Sequence, residues 1–363
     1  MAISERQSGI ELLRILAAGA VVVLHYANPV MGGALQFANR GGQIILNQLI
    51  SLCCCAVCCF VIISGYFMIN SQKRTIGKPI SLYLQVVVFK ILGYFLDCAL
   101  GIYDFSIVSV FSQFVPTNYF VTLYIALYFI SPFINKLLND FSKASYRRFL
   151  AILILLFSVW PFIMDIVREM TGKDFLGSST VGMWGSQAGY TIVNFILLYC
   201  LGGYIRKYGF PIKRSSSILL GVFASVLCIF FMRILETKID VIGEPVSTSY
   251  LSPFVILLAI LCFELFRRIE IKNKIINNLA GAALTCFLFH LIIIKRVCIE
   301  FHACSGILVM LAHLSVCVIG IYLISYVLYR LYTFCVSPLT KYLDRFSVSY
   351  EDDEMFLIKR NNS

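Results

Sequence analysis

The sequence predicts an all-α fold: a polytopic membrane helix bundle with about ten transmembrane helices. Three observations predict it. Of 363 residues 60% are hydrophobic, only 13% are charged, and the mean hydropathy is +0.86. A soluble protein keeps too much surface in water to hide so much apolar side chain. A bilayer-spanning helix needs about 20 mostly apolar residues, so ten of them use roughly 200 and leave short connections. One integral membrane domain therefore takes residues 1–340, with 341–363 as a short polar tail.

In chain order the expected spans are 8–27, 43–70, 79–100, 118–137, 148–167, 186–205, 215–235, 249–266, 276–294 and 308–334. Several exceed the minimum length, which permits tilt. The first occupies the place of a signal peptide. Its apolar run contains Glu11 and Arg14, however, and no cleavage site follows, so it reads as a retained helix. No internal repeat, Pro/Ser-rich linker or low-complexity tract divides the chain.

Orientation follows from the Lys and Arg of the connections. Alternate loops hold Lys73, Arg74 and Lys78; Lys136, Lys143, Arg147 and Arg148; Arg206, Lys207, Lys213 and Arg214; and Arg267, Arg268, Lys272 and Lys274. With Arg6 and the tail residues Arg330, Lys341, Arg345, Lys359 and Arg360 they total 21 of the 30 basic residues. The intervening loops hold six: Arg40, Arg168, Lys173, Lys238, Lys295 and Arg296. Both termini are therefore expected in the cytoplasm of a cell in whose plasma membrane the chain resides. The net charge of +11 then reflects loops facing anionic headgroups of the lipid bilayer. No basic-aromatic pattern suggests nucleic acid.

Fourteen cysteines are too few outside the spans for a disulfide framework. The run CCCAVCC, Cys53 to Cys59, falls in the middle of the second span. Its i,i+4 pairs suit a soft metal in principle, but buried cysteine usually behaves as a small hydrophobe.

The chemistry-bearing residues begin in the first span. Arg14 and His25 are eleven residues apart, which is three helical turns plus about 20°, so both project from one face with about 16 Å of rise between them. An intramembrane arginine is expensive and normally has a partner or a task. Glu11, one turn back, offers a purely structural partner. Histidine changes protonation near neutrality, and His25 on the same face has that property. Lys90, the i,i+3 pair Arg233 and Glu236, and Glu264 before Arg267 read as structural first.

An Arg-x10-His helix at the start of a ten-span chain resembles the acyltransferase family 3 membrane proteins. CFVIISGYF, with Phe60, Ser64, Gly65 and Tyr66, resembles the family's Ser-Gly-Tyr/Phe end of the second helix. NYFVTLYIALYFISPFIN, Asn118 to Asn135, is similar to its Tyr-Trp-Phe…Leu-Tyr…Ser-Pro segment, with Phe120 in place of Trp. LLYCLGGYIRKY, Leu197 to Tyr208, resembles the Leu-Gly-Ala-Tyr-Ile ending of the sixth helix. LTCFLFHLIII, Leu284 to Ile294, resembles its Phe-Gly-x-Tyr-Leu-Ile-His element and brings His290, with Cys286 and Phe289 as departures. Each motif is weak alone, but together they run in the family's order from residue 14 to 290.

The resemblance implies transfer of an acyl group, usually acetyl, from cytoplasmic acyl-CoA to a hydroxyl of an extracytoplasmic or lipid-linked carbohydrate acceptor. Acyl-CoA is then a co-substrate, and no metal is expected. The residue chemistry is compatible with this. The planar guanidinium of Arg14 suits the phosphates of CoA, and His25 suits a general base for the acceptor hydroxyl. Tyr124 and Tyr128 lie at i,i+4, with Tyr119 near the outer end of the same helix; Tyr124 is a candidate oxyanion donor, Tyr119 and Tyr128 acceptor contacts. His290 lies near the depth of His25 and either binds the acceptor or supports His25. Ser64, Gly65 and Tyr66 are expected near the CoA end, although Gly65 also suits close helix packing. His313 falls at a similar depth to His25, which raises a metal reading, but no carboxylate or cysteine is read at ligand spacing beside these histidines, so no metal site is expected; His302 reads as an idle loop residue.

Two other classes fit the charges in the spans. A transporter or glycan flippase typically shows inverted repeats or broken helices, and a lipid-linked glycan polymerase a long outer loop rich in Arg and His. Neither pattern is visible. The chain stops soon after the last span, so the hydrolase-like domain of some relatives is not expected. Protein partners are not legible.

Overall fold

In the computed structural model, which describes residues 6–238, 245–348 and 358–360, the apolar runs fold as helices. The first is α1 (Ser8–Ala27), followed by the short α2 (Ala34–Phe37), α3 (Arg40–Cys53) and α4 (Ala56–Met68). After a two-residue strand β1 (Arg74–Thr75) come α5 (Gly77–Ala99), the short α6 (Ile107–Ser112) and α7 (Tyr119–Asp140). Next are α8 (Lys143–Ile154), α9 (Trp160–Thr171), α10 (Ile192–Tyr208) and α11 (Ser215–Lys238). The chain closes with α12 (Pro253–Arg267), α13 (Lys274–Leu279), α14 (Ala283–Ile294), α15 (Ile299–Cys304) and α16 (Ile307–Leu343), then strands β2 (Phe346–Val348) and β3 (Ile358–Arg360).

Taking helices that continue through a kink as one, nine among the described residues are long and apolar enough to cross a membrane. The sequence predicts ten. The difference is α10, whose 17 residues rise about 26 Å against a hydrocarbon core of about 30 Å. Its expected start at 186 is lost to a tight turn over Gln187–Gly189, where Gln187 and Ala188 take positive φ of 52° and 50°. Thr191 then caps the helix by accepting from the amide of Asn194.

Other boundaries also move. The expected second span is formed as Arg40–Met68, kinked between α3 and α4 at Cys54–Cys55, inside the cysteine run, where both residues keep right-handed helical φ/ψ. The fifth runs from Lys143 to Thr171 through a π-turn at Leu155–Val159, just before Pro161, whose missing N–H breaks the regular ladder. The eighth begins at Pro253, whose fixed φ suits the first turn of a helix. The last span continues to Leu343, so the expected tail at 341–363 begins within a helix. Strand β2 then pairs antiparallel with β1, setting Arg74 opposite Val348, and β3 pairs with β2. Lys238, Lys359 and Arg360, counted for orientation, have side chains outside the described residues, as has most of the tail.

Helix α1 is central: it packs against α3, α4, α12, α14 and α16. Helices α4 and α10 approach most closely, through small residues. A Cβ on Gly65 would meet the Tyr199 carbonyl oxygen at 2.1 Å, and one on Gly202 would meet that of Ile62 at 2.1 Å. In lipid, where helices gain little from apolar burial against each other, such backbone approach supplies the contact. The pairing of Glu264 expected from its spacing is formed, with Arg267 at 2.8 Å and also Arg268 at 2.7 Å. Arg233 and Glu236 have other partners: Arg233 donates to the Asn47 side chain at 2.5 Å and Glu236 accepts from the amide of Ser247 at 2.6 Å.

Candidate functional site

The periodicity of α1 sends Arg14 and His25 to one side of the helix, and α14 packs along that side. There His290 meets His25, with ring centroids 4.8 Å apart. His290 is buried, and its Nδ1 lies 3.1 Å from the carbonyl oxygen of Cys286, one turn back. A carbonyl only accepts, so this partner assigns the proton to Nδ1. Nε2 is left as a buried lone pair without a partner. His25 is half-buried, and its Nδ1 contacts the sulfur of Met31 in the turn after α1. The two imidazoles thus sit side by side, one with a free acceptor nitrogen.

Arg14 lies toward the start of α1 and lines a cavity of about 260 Å³. Ser64, Lys78, Tyr124, Phe120 and Phe287 line it too. Arg14 bonds both oxygens of Glu11 at 3.2 Å, the structural partner expected for it, and still reaches the cavity. Tyr124 accepts from the ammonium of Lys78 at 3.0 Å and donates to the weak acceptor sulfur of Met68 at 3.8 Å. Phe287 closes the cavity toward the histidines: its ring centroid is 6.2 Å from that of His290 and 5.0 Å from that of Phe120. Arg14, Ser64 and Tyr124 are therefore brought to one cavity between α1, α4, α5, α7 and α14, and Phe287 separates it from the histidine pair.

The other expected residues point elsewhere. Gly65 sits in the contact with Tyr199, so packing occupies it. Tyr66 is buried against Phe263 and accepts from Arg206 at 3.2 Å. Tyr128 is held by the β1 segment: its hydroxyl accepts from the amide of Thr75 at 3.0 Å, and its carbonyl accepts from Arg74 at 3.0 Å. Tyr119 joins an aromatic group with Tyr190, 4.6 Å away, and Tyr190 meets Tyr250 at 5.1 Å.

Lys78 was counted in the sequence only as a loop cation, yet it is a cavity wall. Its spacing in the sequence links it to nothing; only the packing of α5 on α7 places it over Tyr124. Arg74, another loop cation, is 2% exposed and donates to Ser131 at 2.7 Å, to Tyr128 and to Ser71. Both cations donate to backbone and hydroxyl groups in the body of α7. Tyr124, six residues into α7, is level with Lys78, the second residue of α5. Tyr119 is the first residue of α7, whose 22 residues are long and apolar enough to cross a membrane.

A second histidine group lies apart. His302 and His313 stack with centroids 3.8 Å apart, and His313 Nδ1 lies 3.0 Å from the Tyr26 hydroxyl. Cys317 lies 3.6 Å from His313 Nε2, one turn along α16, at the i,i+4 spacing that puts the two on one helix face. His302, expected to be idle, therefore has a ring partner. Among the described residues no three His, Cys, Asp or Glu side chains come together in a way that could hold a metal ion.

Comparison with known proteins bears on this arrangement. A family model described as an acyltransferase domain matches residues 7–330. No curated protein and no solved structure matches the chain.

Proposed function

The chain belongs to this acyltransferase family, and we propose that it moves an acyl group, acetyl above all, from cytoplasmic acyl-CoA to a hydroxyl of a cell-surface or lipid-linked glycan. It does so in the plasma membrane with both termini cytoplasmic. The observation that supports the reading is a cavity lined by Arg14, Lys78 and Tyr124 whose wall residue Phe287 lies 6.2 Å from the ring of His290, the neighbour of His25. A cavity of about 260 Å³ is just below the size of common small-molecule pockets, about 300–1,000 Å³. It suits the extended acyl-pantetheine arm with the nucleotide left outside. Arg14 and Lys78 at its mouth supply the charges that phosphates need, Arg14 as a fork and Lys78 as a point charge.

At the other end, His25 accepts the proton of the acceptor hydroxyl as that oxygen attacks the thioester carbonyl. The tetrahedral oxyanion takes a hydrogen bond from Tyr124, whose hydroxyl is polarised by Lys78. Collapse breaks the C–S bond, the thiolate of CoA leaves, and the imidazolium returns the proton to it. Arg14 pairs with Glu11, so the buried charge is compensated before substrate arrives. Phe120 and Phe287 exclude water from the thioester path, which strengthens every polar contact there.

One observation favours a second assignment of the base. The Nε2 of His290 is a free, buried lone pair with its Nδ1–H already committed, the form in which an imidazole acts as a base. In that version His25 orients the acceptor. The reaction itself is tested with membranes from cells expressing the chain. Labelled acetyl-CoA should yield a base-labile ester on surface glycan, and membranes that bind acetyl-CoA but never transfer the label would overturn the reading.

A further inference from the structure

Beyond the cavity at Arg14, a larger one of about 470 Å³ follows the same helices toward their other ends. Its wall on α5 continues from Val86 through Lys90 to Asp97, and its wall on α14 from Leu288 to Ile292, with Lys295 and Arg296 just past the helix end. The third wall is irregular chain before α7, including Gln113, Thr117 and Asn118. This chain is pinned to the body of α5, because Tyr83 donates to the Phe114 carbonyl at 2.8 Å and Lys90 to the Val115 carbonyl at 2.7 Å. Tyr83 and Lys90 lie about 10 Å and 20 Å along a helix of about 34 Å, so this backbone sits at membrane depth. Non-helical backbone is tolerated there only when buried in protein or lining a water-filled cavity. The cavity is therefore a recess between this segment and the bundle, with an apolar wall that carries a few charged and polar groups.

Its charge is unbalanced. Lys90, Lys295 and Arg296 face one carboxylate, Asp97, which pairs with Arg296. Lys295 has no partner among the described residues, and the buried Nε of Arg296 makes no hydrogen bond. A cation over-supply in a recess closed on three sides, with an unused guanidinium N–H, is a site for an anion. Amide and hydroxyl groups of Gln113 and Thr117 beside it suit sugar hydroxyls.

We propose that this cavity binds the acceptor, and that the acceptor carries an oxyanion held by Lys90, Lys295 and Arg296. The proposal rests on the acyl-transfer reading for calling the ligand an acceptor, but the anion site stands on its own geometry. The oxyanion is either the phosphate of a polyisoprenyl carrier or the carboxylate of an acidic sugar. Bound there, the glycan enters from the end of the bundle opposite Arg14, and its hydroxyl meets the acyl donor where the two cavities adjoin on α14, at Phe287 and Leu288, with His290 and His25 behind Phe287.

The test uses the full chain in phosphatidylcholine nanodiscs. Binding is measured for a polyisoprenyl monophosphate, a glucuronate-containing disaccharide, a neutral disaccharide of the same size, and acetyl-CoA. At least one anionic probe should bind about tenfold more tightly than the neutral one, and which of the two does so identifies the source of the charge. Lys90→Gln should weaken that probe about tenfold and the exposed Lys295→Gln about threefold, both less so at high salt. Asp97→Asn, which frees Arg296, should tighten it about threefold. Acetyl-CoA binding should be unchanged in all three. Equal binding of anionic and neutral probes overturns the proposal, as does wild-type anion affinity in Lys90→Gln and Lys295→Gln. A wild type that binds the anion but never acetyl-CoA supports the anion site and overturns the acyl-transfer reading.

Discussion

The rings of His25 and His290 lie 4.8 Å apart, although 265 positions separate them in the chain (25 to 290). The contact joins the face of α1 that carries Arg14 to the helix that lines both cavities. Which of the two imidazoles takes the proton is the sharpest question that the arrangement poses. His25→Ala should lower acyl transfer on the order of 10²–10⁴-fold, the usual worth of a general base, at unchanged protein level. His290→Ala should cost less, since the proposed role is orientation. Transfer rates at matched expression decide it, and a dead His290→Ala beside an active His25→Ala moves the base to α14.

Arg14→Lys keeps the charge and the approach to Glu11 but loses the two-pronged geometry for phosphate. The KM for acyl-CoA should rise about tenfold with little change in kcat, because the lost contact exists in the ground state as well. Titration with acyl-CoA at saturating acceptor measures this. An unaltered KM would return Arg14 to a partner of Glu11 alone.

Lys78 holds the Tyr124 hydroxyl at 3.0 Å. Lys78→Met preserves the stem but removes the charge, so Tyr124 loses its polarising donor. We expect kcat to fall about tenfold or more. Tyr124→Phe should fall by a comparable factor, and the double variant should be no worse than either single one, since the two act as a unit. Additive losses in that cycle would separate Tyr124 from Lys78.

Gly65 and Gly202 are packed where a Cβ would lie 2.1 Å from a facing carbonyl oxygen. Backbone cannot yield as a flexible side chain can, so Gly65→Ala or Gly202→Ala should destabilise by about 1–3 kcal/mol. Gly320 has nothing within 4 Å of such a Cβ, and Gly320→Ala should be neutral. Thermal unfolding of the detergent-solubilised proteins compares the three.

For orientation, reporters fused after residues 75, 142, 210 and 270 should read cytoplasmic. Fusions after 105 and 175 should read external, and one after 243, outside the described residues, should too. Two reversed readings would invalidate the assignment of the loops.

The sequence by itself determined that the chain is a helical membrane bundle, because every span must satisfy its backbone internally and carry about 20 apolar residues, and both leave their mark locally. It also marked Arg14 and His25 as one face of one helix, since helical period is a property of spacing alone. The family resemblance carried by ordered short motifs lay in the same local record, and the match over residues 7–330 bears it out. Tertiary structure decided what no spacing encodes. Short-range breaks were hidden: the kink at Cys54–Cys55 and the tight turn before α10 lie inside runs as apolar or as ordinary as their neighbours. Lys78 and Arg74 looked alike as loop cations, and only the packing of α5 and β1 against α7 made one a cavity wall and the other a buried clamp. His290 became the neighbour of His25 because α14 lies along α1. A contact between distant helices depends on which faces pack, and packing is a property of the whole bundle rather than of any one segment.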